Sequence, residues 1–215
     1  SYYNGINLED IKAPECFTIL HDLQERLDIP VFHDDQHGTA IVILAALTNA
    51  STMRSIDNDD KIVIAGAGAA GIATASLLRH AGYTNIVVTD SKGILHESRD
   101  DLNEYKARIA EQTQGSPGTL DDAIQGATAF IGVSTGGILN EAHVEAMQDD
   151  PVVFALANPT PEIEPSRAKQ AGASIIATGR SDHPNQVNNA LVFPGLFNGL
   201  IEADKNNVTY DDMTR

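Results

Sequence analysis

The sequence predicts an α/β domain built on a doubly wound parallel sheet, and three observations carry that prediction. From Lys61 onward, short β-branched runs alternate with longer amphipathic stretches, which is the period of βα units feeding a parallel sheet. Those runs are short and predominantly apolar, as suits strands covered on both faces. A glycine-rich turn, Gly66-Ala67-Gly68-Ala69-Ala70-Gly71, joins the first run directly to the first helix.

Each element follows from a local signal. Residues 7–28 read as a helix with Leu20, Leu23 and Leu27 on one face, ended by Pro30 in an extended Pro30-Val31-Phe32. A second helix over residues 39–49, with Ile41, Val42, Leu44, Ala45 and Leu47 apolar, leads into the polar linker 55–60. Strands are expected at 62–65, 86–89, 128–133, 152–157 and 174–177, and helices at 69–80, 102–111, 120–124, 141–147 and 165–170. Crossovers of this kind are right-handed and wind helices onto both faces of the sheet. Residues 190–203 read as a further apolar helix, and 204–215 as a polar, frayed tail.

Composition narrows the function classes. The 215 residues carry 30 Asp and Glu against 14 Lys and Arg, a formal net charge of -16 that repels phosphate backbones and anionic lipid, so neither nucleic acid nor a membrane is an expected partner. The single cysteine, Cys16, excludes an intrachain disulfide, and no apolar run approaches the roughly 18 residues of a membrane span. No secretory signal is visible, so a cytoplasmic location is expected. The stretch Ser1-Tyr2-Tyr3-Asn4-Gly5 reads like the middle of a chain, which suggests a processed or engineered start.

The glycine-rich turn is the first candidate site. In G-x-G-x-x-G after a strand, the first glycine, Gly66, permits the tight turn, Gly68 lets backbone approach a pyrophosphate, and Gly71 lets helix and strand pack closely. The helix opening at Ala69 and Ala70 then offers free N–H groups to the diphosphate of a Rossmann-type cofactor. Asp90, 19 residues past Gly71, is placed to accept hydrogen bonds from both ribose hydroxyls, which favours NAD over NADP, although Lys92 offsets some of the repulsion of a 2′-phosphate. Val133 and Ser134, in Gly132-Val133-Ser134-Thr135-Gly136, are expected beside the nicotinamide ribose. The same five residues match the nucleophile elbow of hydrolases, with His143, Asp182 and His183 downstream.

Polar clusters supply the other candidates. His33 and His37 have the i, i+4 spacing of zinc helices, but Asp34 stands where that motif has Glu. Glu9-Asp10 and Asp34-Asp35 are either solvated acidic pairs or an all-oxygen site for Mg²⁺ or Mn²⁺. Asn158 and the Asn188-Asn189 pair serve either as turn and cap residues or as ligand amides at strand ends.

Taken together, residues 5–17, the Ile29-Pro30-Val31-Phe32-His33-Asp34-Asp35-Gln36-His37-Gly38-Thr39-Ala40 segment, Phe154-Ala155-Leu156-Ala157-Asn158-Pro159-Thr160 and Asn185-Gln186-Val187-Asn188-Asn189 closely resemble the bacterial malic enzymes. The resemblance implies Glu9, Asp10 and Asp35 as ligands of Mg²⁺ or Mn²⁺, and Asp34 as the neighbour that holds a catalytic lysine. It implies Asn158, beside the cofactor, and Asn189 as the amides that hold the carboxylates of L-malate. The implied reaction is hydride transfer from malate to NAD, loss of CO₂ and protonation of enolpyruvate. The family's lysine and tyrosine lie in a domain preceding the Gly5 motif, so this chain is expected to bind dinucleotide without turning over malate. Residues 1–35 would be the edge of that catalytic domain, 36–189 the NAD-binding domain, and 190–215 a return helix and tail. Leu20, Leu23 and Leu27 would then be partly uncovered. A homo-oligomer is implied for the full-length protein. Malolactic enzyme, a non-catalytic dinucleotide-binding module and a dehydrogenase of another substrate are the competing readings.

Overall fold

The computed structural model describes residues 3–214; expectations that fall on Ser1, Tyr2 and Arg215 lie outside the described residues. Its main sheet has six strands, β3 (Ile62–Ala65), β4 (Ile86–Asp90), β5 (Gly93–Ile94), β6 (Ala129–Gly132), β7 (Val152–Ala155) and β8 (Ile175–Thr178), in the order β5-β4-β3-β6-β7-β8. All neighbours are parallel except β5, a two-residue edge strand that the sequence reading did not anticipate.

Alternation along each strand sends side chains to opposite faces, and the sheet carries one core on each. Ile62, Ile64, Ile86, Val88, Ile131 and Phe154 pack with the helices α2 (Thr39–Met53), α3 (Ala69–His80) and α4 (Glu104–Gln112). Val63, Ala65, Val87, Phe130 and Val153 pack with α5 (Leu120–Ile124), α6 (Glu141–Glu145) and α7 (Pro165–Gln170). Helices on both faces make this the doubly wound architecture the apolar runs predict. Among the described residues, no helix is long and apolar enough to cross a membrane.

The flank differs from the single helix expected over 7–28. Ile6–Leu8 is a strand, β1, paired in parallel with β2 (Val31–His33), and only Glu15–Arg26 is helical, as α1. The extended segment after Pro30 presents unpaired main-chain groups, and β1 satisfies them, starting with the Ile6 N–H donating to the Pro30 carbonyl at 2.8 Å. Leu20 on α1 is buried, while Leu23 and Leu27 are half-buried. After β2 the chain makes a π-helical turn, Asp34–Gly38, before α2. At the other end, a 3₁₀ turn (Asn189–Leu191) precedes α8 (Phe193–Glu202).

Among the described residues, the tail is not frayed to its end but closes in a helix. Its helix α9 (Tyr210–Thr214) inserts Met213 against the first core, and Asp211 Oδ1 lies 2.8 Å from His80 Nε2 on α3. One apolar anchor in a polar segment is a weak linear signal, and Tyr210, its ring 5.4 Å from that of His80, adds a second contact.

Candidate functional site

The turn between β3 and α3 excludes side chains at two of its glycines. Gly66 has φ +126°, and a Cβ there would stand 2.6 Å from the Val133 carbonyl oxygen. A Cβ on Gly71 would stand 1.7 Å from the Gly66 carbonyl oxygen. Gly68 is different, because nothing lies within 4 Å of where its Cβ would be; it keeps space open before the N-terminus of α3.

Strand order reverses between β3 and β6, so the loops leaving these two strands diverge and open a crevice at their carboxyl ends. Ala65, Gly66, Ala67 and Gly68 face Val133, Ser134 and Thr135 across a cleft of 610 Å³, which Asp90, Asn103, Lys106 and Ala13 also line. That size suits a small-molecule or cofactor site. The cleft gathers five of the predicted cofactor residues: Gly66, Gly68, Asp90, Val133 and Ser134. Ala69 and Ala70 open α3 directly behind it, and Gly71 shapes it from below.

Asp90 ends β4 with its carboxylate already engaged. It accepts from Arg99 Nη1 at 2.9 Å, Arg99 Nη2 at 3.2 Å, Lys106 Nζ at 2.6 Å and the Lys92 N–H at 3.0 Å. Burial pushes this carboxyl up, but the hydrogen bonds from Arg99 and Lys106 outweigh it and hold it down at about 2. The cation that faces the cleft is Lys106; the Lys92 ammonium is drawn away to Asp101, at 2.7 Å. Arg99 and Lys106 are 9 and 16 residues from Asp90 in sequence, with no pattern linking them to it.

A second cluster forms where β1 and β2 end. Their parallel register pairs Leu8 with His33, so the residues that follow, Glu9-Asp10 and Asp34-Asp35, leave the small sheet at the same end. Asp34 is buried, and its carboxyl is pushed up to about 6 by that burial and then by the charges of Asp35, Glu9 and Asp10. Its Oδ1 has no partner among the described residues, and a buried anionic oxygen of this kind calls for a cation. The donor set is all oxygen and anionic, which suits a hard divalent cation. Among the described residues, however, no group of three or more His, Cys, Asp or Glu closes to metal-holding distance.

Among the described residues the two histidines join no group of three or more metal-ligating side chains. The His33 main-chain N–H donates to His37 Nδ1 at 3.1 Å, and burial lowers both imidazoles, His37 to about 4. Asn189 does reach the carboxylate edge: a Cβ on Gly38 would meet Asp34 Oδ1 at 3.0 Å and Asn189 Cβ at 3.2 Å, so these residues flank Gly38. Asn158, by contrast, is exposed on the loop after β7 and does not line the cleft. Of the residues downstream of the hydrolase elbow, His143 Nε2 lies 2.6 Å from Asp121 on α5 and Asp182 pairs with Arg180, so both are engaged elsewhere.

Comparison with known proteins bears on both clusters. Residues 36–215 match the model of the malic enzyme NAD-binding domain. The chain is 51% identical over 209 residues to a bifunctional malic/malolactic enzyme of Bacillus subtilis, covering 94% of this chain and 50% of that protein. It is 50% identical over 214 residues to an NADP-dependent malic enzyme of Halomonas elongata, covering 97% and 50%. A crystal structure of an NAD-dependent malic enzyme from Thermotoga maritima superposes with a TM-score of 0.93 at 50% identity, covering 97% of this chain and 56% of that one. The chain thus spans about half the length of the curated relatives it matches.

Proposed function

The chain belongs to the malic enzyme family, whose NAD-binding domain it contains, and from that premise we propose that it serves the oxidative decarboxylation of L-malate to pyruvate and CO₂ with NAD as hydride acceptor. The observation that carries this reading is the glycine turn at the strand-order reversal, opening onto a cleft bounded by Val133–Thr135 and Asp90. When bound, NAD takes the hydride from the hydroxyl carbon of malate, and Mg²⁺ or Mn²⁺ polarises the substrate oxygens.

The chain's own residues bind and orient. The first N–H groups of α3, at Ala69 and Ala70, face the diphosphate. Asp90 takes the adenosine ribose hydroxyls, and because Arg99 and Lys106 compensate its charge, the preference for NAD over NADP is modest. Val133 and Ser134 lie along the nicotinamide ribose. Asn189 and Asn158, the latter on the exposed loop outside the cleft lining, donate to the malate carboxylates. Glu9, Asp10 and Asp35 would hold the divalent cation, and buried Asp34 would hold a lysine of the whole protein. Residues 1–35 belong with the catalytic domain, 36–189 bind the dinucleotide, and 190–215 return toward the first segment. A cytoplasmic homo-oligomer completes the reading.

Titration of the chain with NAD and NADP, beside an assay of NADH, pyruvate and lactate with L-malate and Mn²⁺, tests it. The expected result is NAD binding, weaker NADP binding and no turnover, since base and acid come from residues outside this chain. Loss of NAD binding would sink the proposal. Lactate formed without NADH accumulation would favour the malolactic activity that the name of the Bacillus subtilis relative includes. Asp35→Ala is expected to weaken Mn²⁺ binding roughly tenfold or more while NAD binding holds; equal Mn²⁺ affinity, read by paramagnetic relaxation, would remove Asp35 from the ligand set.

A further inference from the structure

We propose that Glu162 is a positioning residue for the nicotinamide half of the cofactor, its carboxylate fixing the loop after β6 to the loop after β7. The inference rests on the reading of the cleft given above. The β6–β7 ladder runs to the Gly132 and Ala155 pair and closes with the Leu156 N–H donating to the Gly132 carbonyl at 3.1 Å. Beyond that point the strands part, and among the described residues the Ser134 and Ala157 N–H groups have no main-chain acceptor.

Glu162 supplies both acceptors from one planar group. Its Oε1 accepts from the Ser134 N–H at 3.1 Å and its Oε2 from the Ala157 N–H at 3.0 Å. The residue is fully buried, and no cationic side chain among the described residues forms an ion pair with it. Gly132 makes the room, because a Cβ there would stand 2.3 Å from Glu162 Cδ. Main-chain bonds from Gly137 to Pro161 and from Leu139 to Glu162, each at 3.0 Å, hold the two loops together farther out.

Burying a carboxylate without a counter-ion is costly, and an apolar side chain would fill the same volume at less cost. What the carboxylate offers is two acceptor oxygens at a fixed spacing. A glutamine has one acceptor and one donor, so it must leave one of the two N–H groups facing another donor. Ser134 lines the cleft and Asn158 directly follows Ala157. One side chain therefore sets the start of both loops before any ligand arrives.

The test compares NAD with ADP-ribose, which lacks the nicotinamide ring, on the chain and its Glu162→Gln variant. The expected result is NAD binding weakened roughly tenfold with ADP-ribose binding unchanged, because one buried N–H is stranded beside the nicotinamide end alone. Equal weakening of both ligands would make Glu162 a stabiliser of the fold and overturn the inference, as would no weakening of either. Failure of the unsubstituted chain to bind either ligand would instead overturn the cleft reading. If the glutamine variant does not fold, amide hydrogen exchange on the unsubstituted chain decides. Slow exchange at Ser134 and Ala157 without NAD supports positioning, and free-loop rates that slow only when NAD is added overturn it.

Discussion

Gly71→Ala will destabilise the chain by about 3 kcal/mol or more, the upper end of what overpacking costs, and dinucleotide binding will be lost with it. The added Cβ would lie 1.7 Å from the Gly66 carbonyl oxygen and 2.8 Å from its carbon, and neither backbone atom can yield without moving β3 or α3. In a domain of this size the change corresponds to a fall of roughly 10 °C in Tm. Gly68→Ala is the contrast. With nothing within 4 Å of its Cβ, it leaves Tm unchanged and weakens NAD binding only, because the methyl occupies space kept for the diphosphate. Calorimetry and NAD titration on both variants check the pair, and a Gly71→Ala protein with unaltered Tm would show that the turn is not close-packed.

Phe32→Ala will cost about 3–5 kcal/mol, as removal of a fully buried aromatic ring does. Phe32 has no exposed surface, and its ring centroid lies 4.9 Å from His37, 5.4 Å from Phe193 and 5.9 Å from Phe197. It joins β2 to α8, so the cavity left behind loosens the segment that carries Asp34 and Asp35. Phe32 belongs to neither core of the main sheet. NAD affinity is therefore expected to change less than about twofold, since distant sites with no shared partners act independently, while Mn²⁺ binding falls. A variant that loses NAD and Mn²⁺ binding in step would show that flank and sheet are one cooperative unit.

The β-branched runs and the Gly66–Gly71 turn were legible because their signals are local. A strand covered on both faces shows as an unbroken apolar run, and a tight strand-to-helix turn shows as glycines at fixed spacing. All five expected strands of the main sheet are present, displaced by no more than two residues at their ends. The two-residue β5 was not legible, since a strand that short has no period. Nor was β1, whose three residues become a strand only because Val31–His33 lies alongside them.

By itself, then, the sequence determined the doubly wound sheet, the glycine turn at its centre and the kinship carried by Glu9-Asp10, Asp34-Asp35, Asn158 and Asn189. Only the tertiary structure decided that Arg99 and Lys106 neutralise Asp90, that β1 and β2 bring the two acidic pairs to one end, that Met213 docks the tail, and that a buried Glu162 joins two loops. The physical reason is the range of the forces involved. Backbone propensity and face patterning act between residues a few positions apart and leave a trace along the chain. Desolvation, ion pairing and the satisfaction of a stranded N–H depend on which groups meet in space, and the chain records no period for that meeting.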